Sequence, residues 1–155
     1  MRDPRGFTVV EVLATLGLLG ILLLVAMPQL TAPDELEDLT LADQIATDLR
    51  LARQLAIAAR VPYLLEFNPA APPYTSYTVR AAASVTAEPD FPKDIPAGVT
   101  VGGRRQFIFL PSGCVDDDGA GACAGSDGQV SVGAGAYNVL VRVFWYRGRV
   151  RVELP

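Results

Sequence analysis

The sequence predicts an α+β fold in which helix packs through an apolar stripe onto an antiparallel sheet. Three observations predict it: a long apolar run near the N-terminus, an apolar stripe at spacings of three and four over residues 34–60, and short β-type runs separated by Pro and Gly from Val61 onward. A length of 155 residues suits one domain of ordinary size. The mean hydropathy of +0.29 is high for a soluble domain and points to one concentrated apolar segment. The chain has no histidine, which removes Ser-His-Asp and Cys-His catalytic arrangements, imidazole zinc ligands and the usual neutral-pH proton shuttle. A net charge of −4 opposes attraction of the whole protein to nucleic acid but leaves room for a local basic patch. Lys93 is the only lysine; the other cations are arginines.

The apolar segment runs from Phe7 to Met27, 21 residues with a single charge, Glu11. At helical rise it spans about 31 Å, one bilayer hydrocarbon core. Met27-Pro28-Gln29 is a poor signal-peptidase site. A helix apolar on every side needs a larger protein around it if it is to be a core element. A membrane helix fits best, with a kink or break at Pro28. Arg2 and Arg5 precede it while Asp34, Glu35, Glu37 and Asp38 follow, so the positive-inside rule puts the N-terminus in the cytoplasm and the rest across the membrane. Glu11 has two readings. It lies near the interface and snorkels, or it seeks a positive partner on a neighbouring chain.

Arg5-Gly6-Phe7-Thr8-Val9-Val10-Glu11-Val12-Leu13 resembles the leader junction of type IV prepilins and type II secretion pseudopilins. Members of that family carry a short basic leader ending in glycine, often phenylalanine as first mature residue, and glutamate at the fifth mature position. Gly6, Phe7 and Glu11 match all three, and Pro28 matches a proline common in the family's helix. The resemblance implies cleavage between Gly6 and Phe7 by a membrane prepilin peptidase and N-methylation of Phe7. It gives Glu11 a partner in the α-amine of a neighbouring subunit, an ion pair that low dielectric strengthens. It also implies a leader at 1–6, a transmembrane and filament-core helix at 7–30 and an exported α+β domain at 31–155, the pilin-like fold. The protein would sit in the inner (cytoplasmic) membrane with a single pass. Its partners would be other minor and major pilins or pseudopilins.

Residues 34–60 read as an amphipathic helix, capped by Thr31 or Asp34 and with an acidic first turn that suits the helix dipole. Leu41, Ile45, Leu49, Ala52, Ala56 and Ala59 form its stripe, with Asp43, Gln44, Asp48, Arg50 and Arg53 mostly elsewhere. The run from Leu49 to Ala56 (LxxARxxA), leading directly into a strand, resembles the GspH/FimT branch of pilin-like proteins. Candidate strands follow at 63–67, 75–83, 99–101, 106–110, 129–132, 138–146 and 149–154. Phe109-Leu110-Pro111-Ser112-Gly113 resembles the branch's F-x-P-x-G element.

Cys114 and Cys123 flank an acidic, glycine-containing loop. An exported domain lies in an oxidising compartment, which favours a disulfide between them; the alternative is two unpaired thiols. Two cysteines without histidine make a poor zinc site. Asp116 to Asp118 lack the EF-hand pattern, and a solvated acidic loop is the simpler reading. No metal and no cofactor is expected.

The last segment reads as a hairpin in which Arg147-Gly148 forms a two-residue turn. Trp145 then faces Val150, Val143 faces Val152 and Val141 faces Leu154, an apolar core face. The opposite face presents Arg142, Phe144 and Tyr146 against Glu153, Arg151 and Arg149, beside Arg147. An ordinary account is that a terminal strand keeps charges outward to block edge pairing. The functional account is a nucleic-acid surface, with arginines on phosphates and aromatics on bases. Gly148-Arg149-Val150-Arg151 resembles the GRxR element of FimT-type minor pilins, which bind DNA in natural transformation. Residues 137–155 carry four arginines against one glutamate, a local +3 in a chain of net −4.

The leading function is thus structural: a minor pilin or pseudopilin of a type IV pilus or type II secretion filament, at or near its tip, and not an enzyme. The alternative is a module of the same fold that captures DNA through the GRVR hairpin. A membrane-anchored enzyme fits poorly, since the sequence displays no nucleophile–base pair or metal cluster.

Overall fold

A computed structural model describes residues 8–26, 33–116, 119–123, 125–133 and 138–154. The chain divides into two compact units, Met1–Pro33 and Asp34–Pro155.

The first unit contributes helix α1, Val9–Ala26. Its start has a local cause. Thr8 stands just before the helix, its hydroxyl accepts the Glu11 N–H at 3.3 Å, and its carbonyl accepts the N–H groups of Glu11 and Val12. Thr-x-x-Glu is a capping-box spacing, so Glu11 also suits the positive end of the helix dipole. From Val9 to Leu22 the large apolar side chains are exposed. Among the described residues no helix is long and apolar enough to cross a membrane. The expected break at Pro28 and the cap at Thr31 lie outside the described residues.

The second unit is one helix on two antiparallel sheets. Helix α2, Pro33–Ala59, opens on proline at its first position, where a missing N–H costs nothing. The strands are β1 Tyr63–Asn68, β2 Ser76–Ala81, β3 Lys93–Asp94, β4 Thr100–Gly103, β5 Gln106–Phe109, β6 Val115–Asp116, β7 Gly128–Gly133, β8 Val139–Phe144 and β9 Arg149–Glu153. One sheet has the order β3-β2-β1-β5-β6, the other β4-β7-β8-β9. The seven expected strands are all present, with shifted ends. The two-residue β3 and β6 were not expected, because a pair of residues is too short to show any periodicity.

The core joins the stripe of α2 to the inner faces of both sheets. Leu41, Ala42, Ile45, Ala46, Leu49, Ala52 and Ala56 are buried with Leu65, Phe67, Tyr77, Val79, Phe107 and Phe109 of the first sheet and Val130, Val132, Val141 and Val143 of the second. Phe67 stacks on Tyr74 and tilts against Tyr77. Two positions on α2 depart from the expected stripe. Ala59 is exposed at the last turn. Asp48, placed with the solvent-facing residues, is instead buried. Its carboxylate accepts from Lys93 Nζ at 2.8 and 2.9 Å and from the Tyr77 hydroxyl at 2.7 Å. A helical pattern records polarity alone and cannot foresee that a cation from β3 will reach a buried carboxylate.

Cys114 and Cys123 form a disulfide. The loop it closes is also held from within: both carboxylate oxygens of buried Asp116 accept backbone N–H groups, from Gly119 at 3.0 Å and Gly121 at 2.8 Å. Among the described residues no group of three or more acidic, Cys or His side chains is disposed to hold a metal ion.

Candidate functional site

The C-terminal hairpin β8–β9 pairs Val141 with Val152, Arg142 with Arg151, Val143 with Val150 and Phe144 with Arg149. The expected two-residue turn is therefore a four-residue turn, Trp145 to Gly148, and the register differs from expectation by two residues. Strand side chains alternate with period two, so an even slip keeps every residue on its face while changing its partner. Val141, Val143 and Val150 are buried as expected. Trp145 leaves the ladder for the turn, and Leu154 is 67% exposed instead of joining the core. Glu153 pairs with Leu140 in register, yet reaches diagonally to Arg142 at 3.5 Å.

Five of the six expected binding residues meet in one open depression. Phe144, Tyr146, Arg147, Arg149 and Arg151 line a space of about 320 Å³. Arg142 shares their strand face but is not part of that lining, and its charge is engaged by Glu153. Arg147, Arg149 and Arg151 are exposed. Among the described residues none of the three has an ion pair. Elsewhere Arg80 and Arg105 are both committed to Glu66, at 3.1 and 2.7 Å. The Arg151 guanidinium lies 5.9 Å above the Phe144 ring, and Tyr146, 67% exposed, meets Trp145 edge-on. Cations beside accessible aromatic faces can contact phosphates and stack on bases.

The turn is fixed from behind by residues that reading the chain for charge passes over. Arg53 of α2 donates its Nε–H to the Gly113 carbonyl at 2.9 Å. Gly113 has φ +83°, and a Cβ there would lie 3.1 Å from Arg53 Nη2 and from Ile57 Cδ1. Gly148, buried with φ +55°, packs so closely that a Cβ would overlap the Gly113 carbonyl oxygen and lie 2.9 Å from Arg53 Cδ. Arg50, three residues before Arg53 on α2, reaches the Val150 carbonyl at 3.4 Å. The Val115 N–H bonds the Trp145 carbonyl at 2.8 Å and the Trp145 N–H bonds Asp127 at 3.2 Å. Arg53, Gly113 and Gly148 are the arginine of the LxxARxxA run, the last glycine of F-x-P-x-G and the glycine of GRVR. Three short motifs far apart in sequence thus converge on one contact.

Of the other expected site residues, Gly6 and Phe7 lie outside the described residues. Glu11 is exposed on α1, beside an open apolar surface formed by Ala14, Thr15, Leu18, Leu19 and Leu22.

The prokaryotic N-terminal methylation motif matches residues 1–27. No curated protein matches the chain. Among solved structures, the chain is similar to the type IV minor pilin FimU of Pseudomonas aeruginosa in two crystal forms. One superposes with a TM-score of 0.56 at 13% identity, over 72% of this chain and 89% of that one. The other gives 0.59 at 15% identity, over 78% and 90%. The similarity is one of fold: a helix packed on antiparallel sheets, as in pilins.

Proposed function

We propose that this type IV pilin-like chain is a minor pilin or pseudopilin, a structural subunit of a type IV pilus or type II secretion filament incorporated at or near its tip. A membrane prepilin peptidase cleaves between Gly6 and Phe7, and Phe7 is N-methylated. The apolar run holds the subunit in the inner membrane by a single pass before assembly, N-terminus in the cytoplasm and the domain from residue 31 outside. Described α1 covers 18 of the run's 21 residues, about 27 Å. The subunit joins other minor and major pilins and has no catalytic role.

The observation that supports this reading most directly is Glu11, the one charge in α1, exposed within the methylation motif. A carboxylate among apolar neighbours is costly unless it is paired, and the α-amine of an adjacent processed subunit supplies the cation. Replacing Glu11 by Leu keeps the helix apolar and removes the pair. The variant should still be cleaved and reach the membrane, but it should fail to co-purify with sheared filaments. Normal incorporation of Glu11→Leu would remove the assembly role.

A second reading, favoured by the three exposed arginines that line the hairpin depression and have no ion pair among the described residues, is capture of DNA for uptake. Gel shifts comparing the native chain with Arg149→Gln plus Arg151→Gln test it. Retardation should be lost in the variant, and equal retardation or none in both would remove the reading.

A further inference from the structure

Exposed arginines on a hairpin turn bind well only if the turn holds them together, because ordering each long side chain and its backbone costs free energy. Four-residue turns without internal support sample many arrangements. Here the support comes from outside the turn. Arg53 bonds the Gly113 carbonyl and lies beside Gly148, whose backbone comes too close to that same carbonyl for a Cβ to fit. Gly148 immediately precedes Arg149 and follows Arg147, so its placement sets the direction in which both arginines leave the chain.

We infer that Arg53 is a positioning residue for the arginine–aromatic depression: it does not contact the ligand, but it fixes the Trp145–Gly148 turn so that Arg147, Arg149 and Arg151 present a single polyanion-binding surface. The inference rests on the nucleic-acid reading of the depression and assigns that reading a residue on a different element. Its chemistry is directional. The arginine places its Nε–H on the Gly113 carbonyl while its Cδ and Nε lie beside Gly148, a combination that lysine, with a methylene in place of that N–H and a terminal ammonium, does not reproduce. Arg53 is half-buried behind the turn. It is a device for shape more than for charge.

The turn carries its own reporter, since Trp145 is the only tryptophan of the chain. The detergent-solubilised full chain is prepared as native protein, Arg53→Met, Arg53→Lys, Gly148→Ala and, as a control at the far end of α2, Arg60→Gln. Three quantities are read: Trp145 emission, backbone amide exchange of residues 145–148, and the salt-dependent Kd for a fluorescently labelled duplex DNA. Arg53→Met and Gly148→Ala should both shift Trp145 emission to the red and speed exchange in the turn. Both should weaken Kd by roughly three- to tenfold, the scale of one or two phosphate contacts. Arg53→Lys should resemble Arg53→Met although it keeps the charge, and Arg60→Gln should match the native chain. Gly148→Ala leaves Arg53 intact, so it keeps the test decisive if Arg53→Met fails to fold.

An unaltered turn with a weakened Kd in Arg53→Met, recovered in Arg53→Lys, would make Arg53 a direct phosphate contact and overturn the inference. So would a loosened turn with an unchanged Kd. If the native chain itself binds no DNA, the nucleic-acid reading fails and this inference with it. Native binding that survives every variant defeats the inference alone.

Discussion

Arg142 and Arg151 stand directly opposite each other across the β8–β9 ladder, two like charges at a position where sheets normally pair opposite ones. The fold relieves both without joining them. Arg142 turns to Glu153 at 3.5 Å, and Arg151 lies over the Phe144 ring. Such a pair costs stability, on the order of a few tenths of a kcal/mol at an exposed site. Replacing Arg151 by Thr, a good strand residue, should therefore stabilise the folded chain by about 0.5 kcal/mol. If the depression binds a polyanion, the same substitution should weaken that binding. Denaturant midpoints and gel shifts on one preparation read both effects. A variant that loses stability as well as binding would show that Arg151 is held by contacts other than these.

The Asp48–Lys93–Tyr77 cluster should behave as a unit. Asp48 is 4% exposed, and Lys93, about a quarter exposed, supplies its only counter-charge among the described residues. Lys93→Met leaves a buried carboxylate with the Tyr77 hydroxyl and should cost about 1–3 kcal/mol, discounted from the fully buried case because the lysine is partly solvated. Removing both charges in Asp48→Leu plus Lys93→Met should recover most of that loss. A double-mutant cycle in urea reads the coupling, and strictly additive losses would argue against it.

Three tyrosines make the domain sensitive to alkali. Burial, with help from the Asp48 hydrogen bond and charge, drives the Tyr77 hydroxyl far above the ordinary tyrosine value. Burial raises Tyr74, and the hydrogen bond to Glu88 raises Tyr63. The neutral phenol is the form the fold favours, so these groups contribute fully below the unfolded tyrosine pKa of about 10, and stability should fall as pH climbs beyond it. Melting temperatures should be flat from neutral pH to about 9 and decline above about 10, and Tyr77→Phe should soften the decline. An unchanged slope in Tyr77→Phe would mean that Tyr77 does not carry it.

How much of this was legible in the residues follows from the range of the forces involved. The buried side of α2 and the alternation of β5 and β8 follow from period and polarity, which act locally. The Cys114–Cys123 disulfide was one of two alternatives that compartment and spacing left open. The hairpin's faces were legible but its register was not. Arg147-Gly148 has the composition of a two-residue turn, and only contacts from outside the hairpin, Trp145 with Val115 and Asp127 and Gly148 with Arg53, hold the longer turn in place. Asp48 and Arg53 were misjudged or passed over for the same reason: each is a polar residue on a helix whose partner lies tens of residues away. The only local sign was that Arg53, Gly113 and Gly148 each sit in a short motif.

The Cys114–Cys123 bridge closes a short loop whose other support is Asp116. A chain-entropy account of a loop of this size gives roughly 2.5 kcal/mol. Cys114→Ser plus Cys123→Ser should approach that loss, and Asp116→Asn should cost less, since an amide oxygen still accepts one of the two glycine N–H groups. Urea unfolding of both variants reads this, and an Asp116→Asn loss exceeding the double serine's would make the carboxylate the loop's principal anchor.

Glu153 offers a gain of function where other tests offer losses. It engages Arg142, the one cation of the hairpin face that does not line the depression. With Arg147, Arg149 and Arg151 as the cations lining the depression, log Kd against log salt for duplex DNA should have a slope of magnitude about 2.7, near 0.9 for each phosphate neutralised. Glu153→Gln removes the competing carboxylate and frees Arg142 without touching the depression. The slope should steepen by about 0.9 and binding at low salt should tighten. The surface ion pair it breaks is worth at most about 1 kcal/mol, so the fold should survive. A tighter complex with an unchanged slope would mean that Glu153 acts by general repulsion, and Arg142 would then have no place in the binding surface.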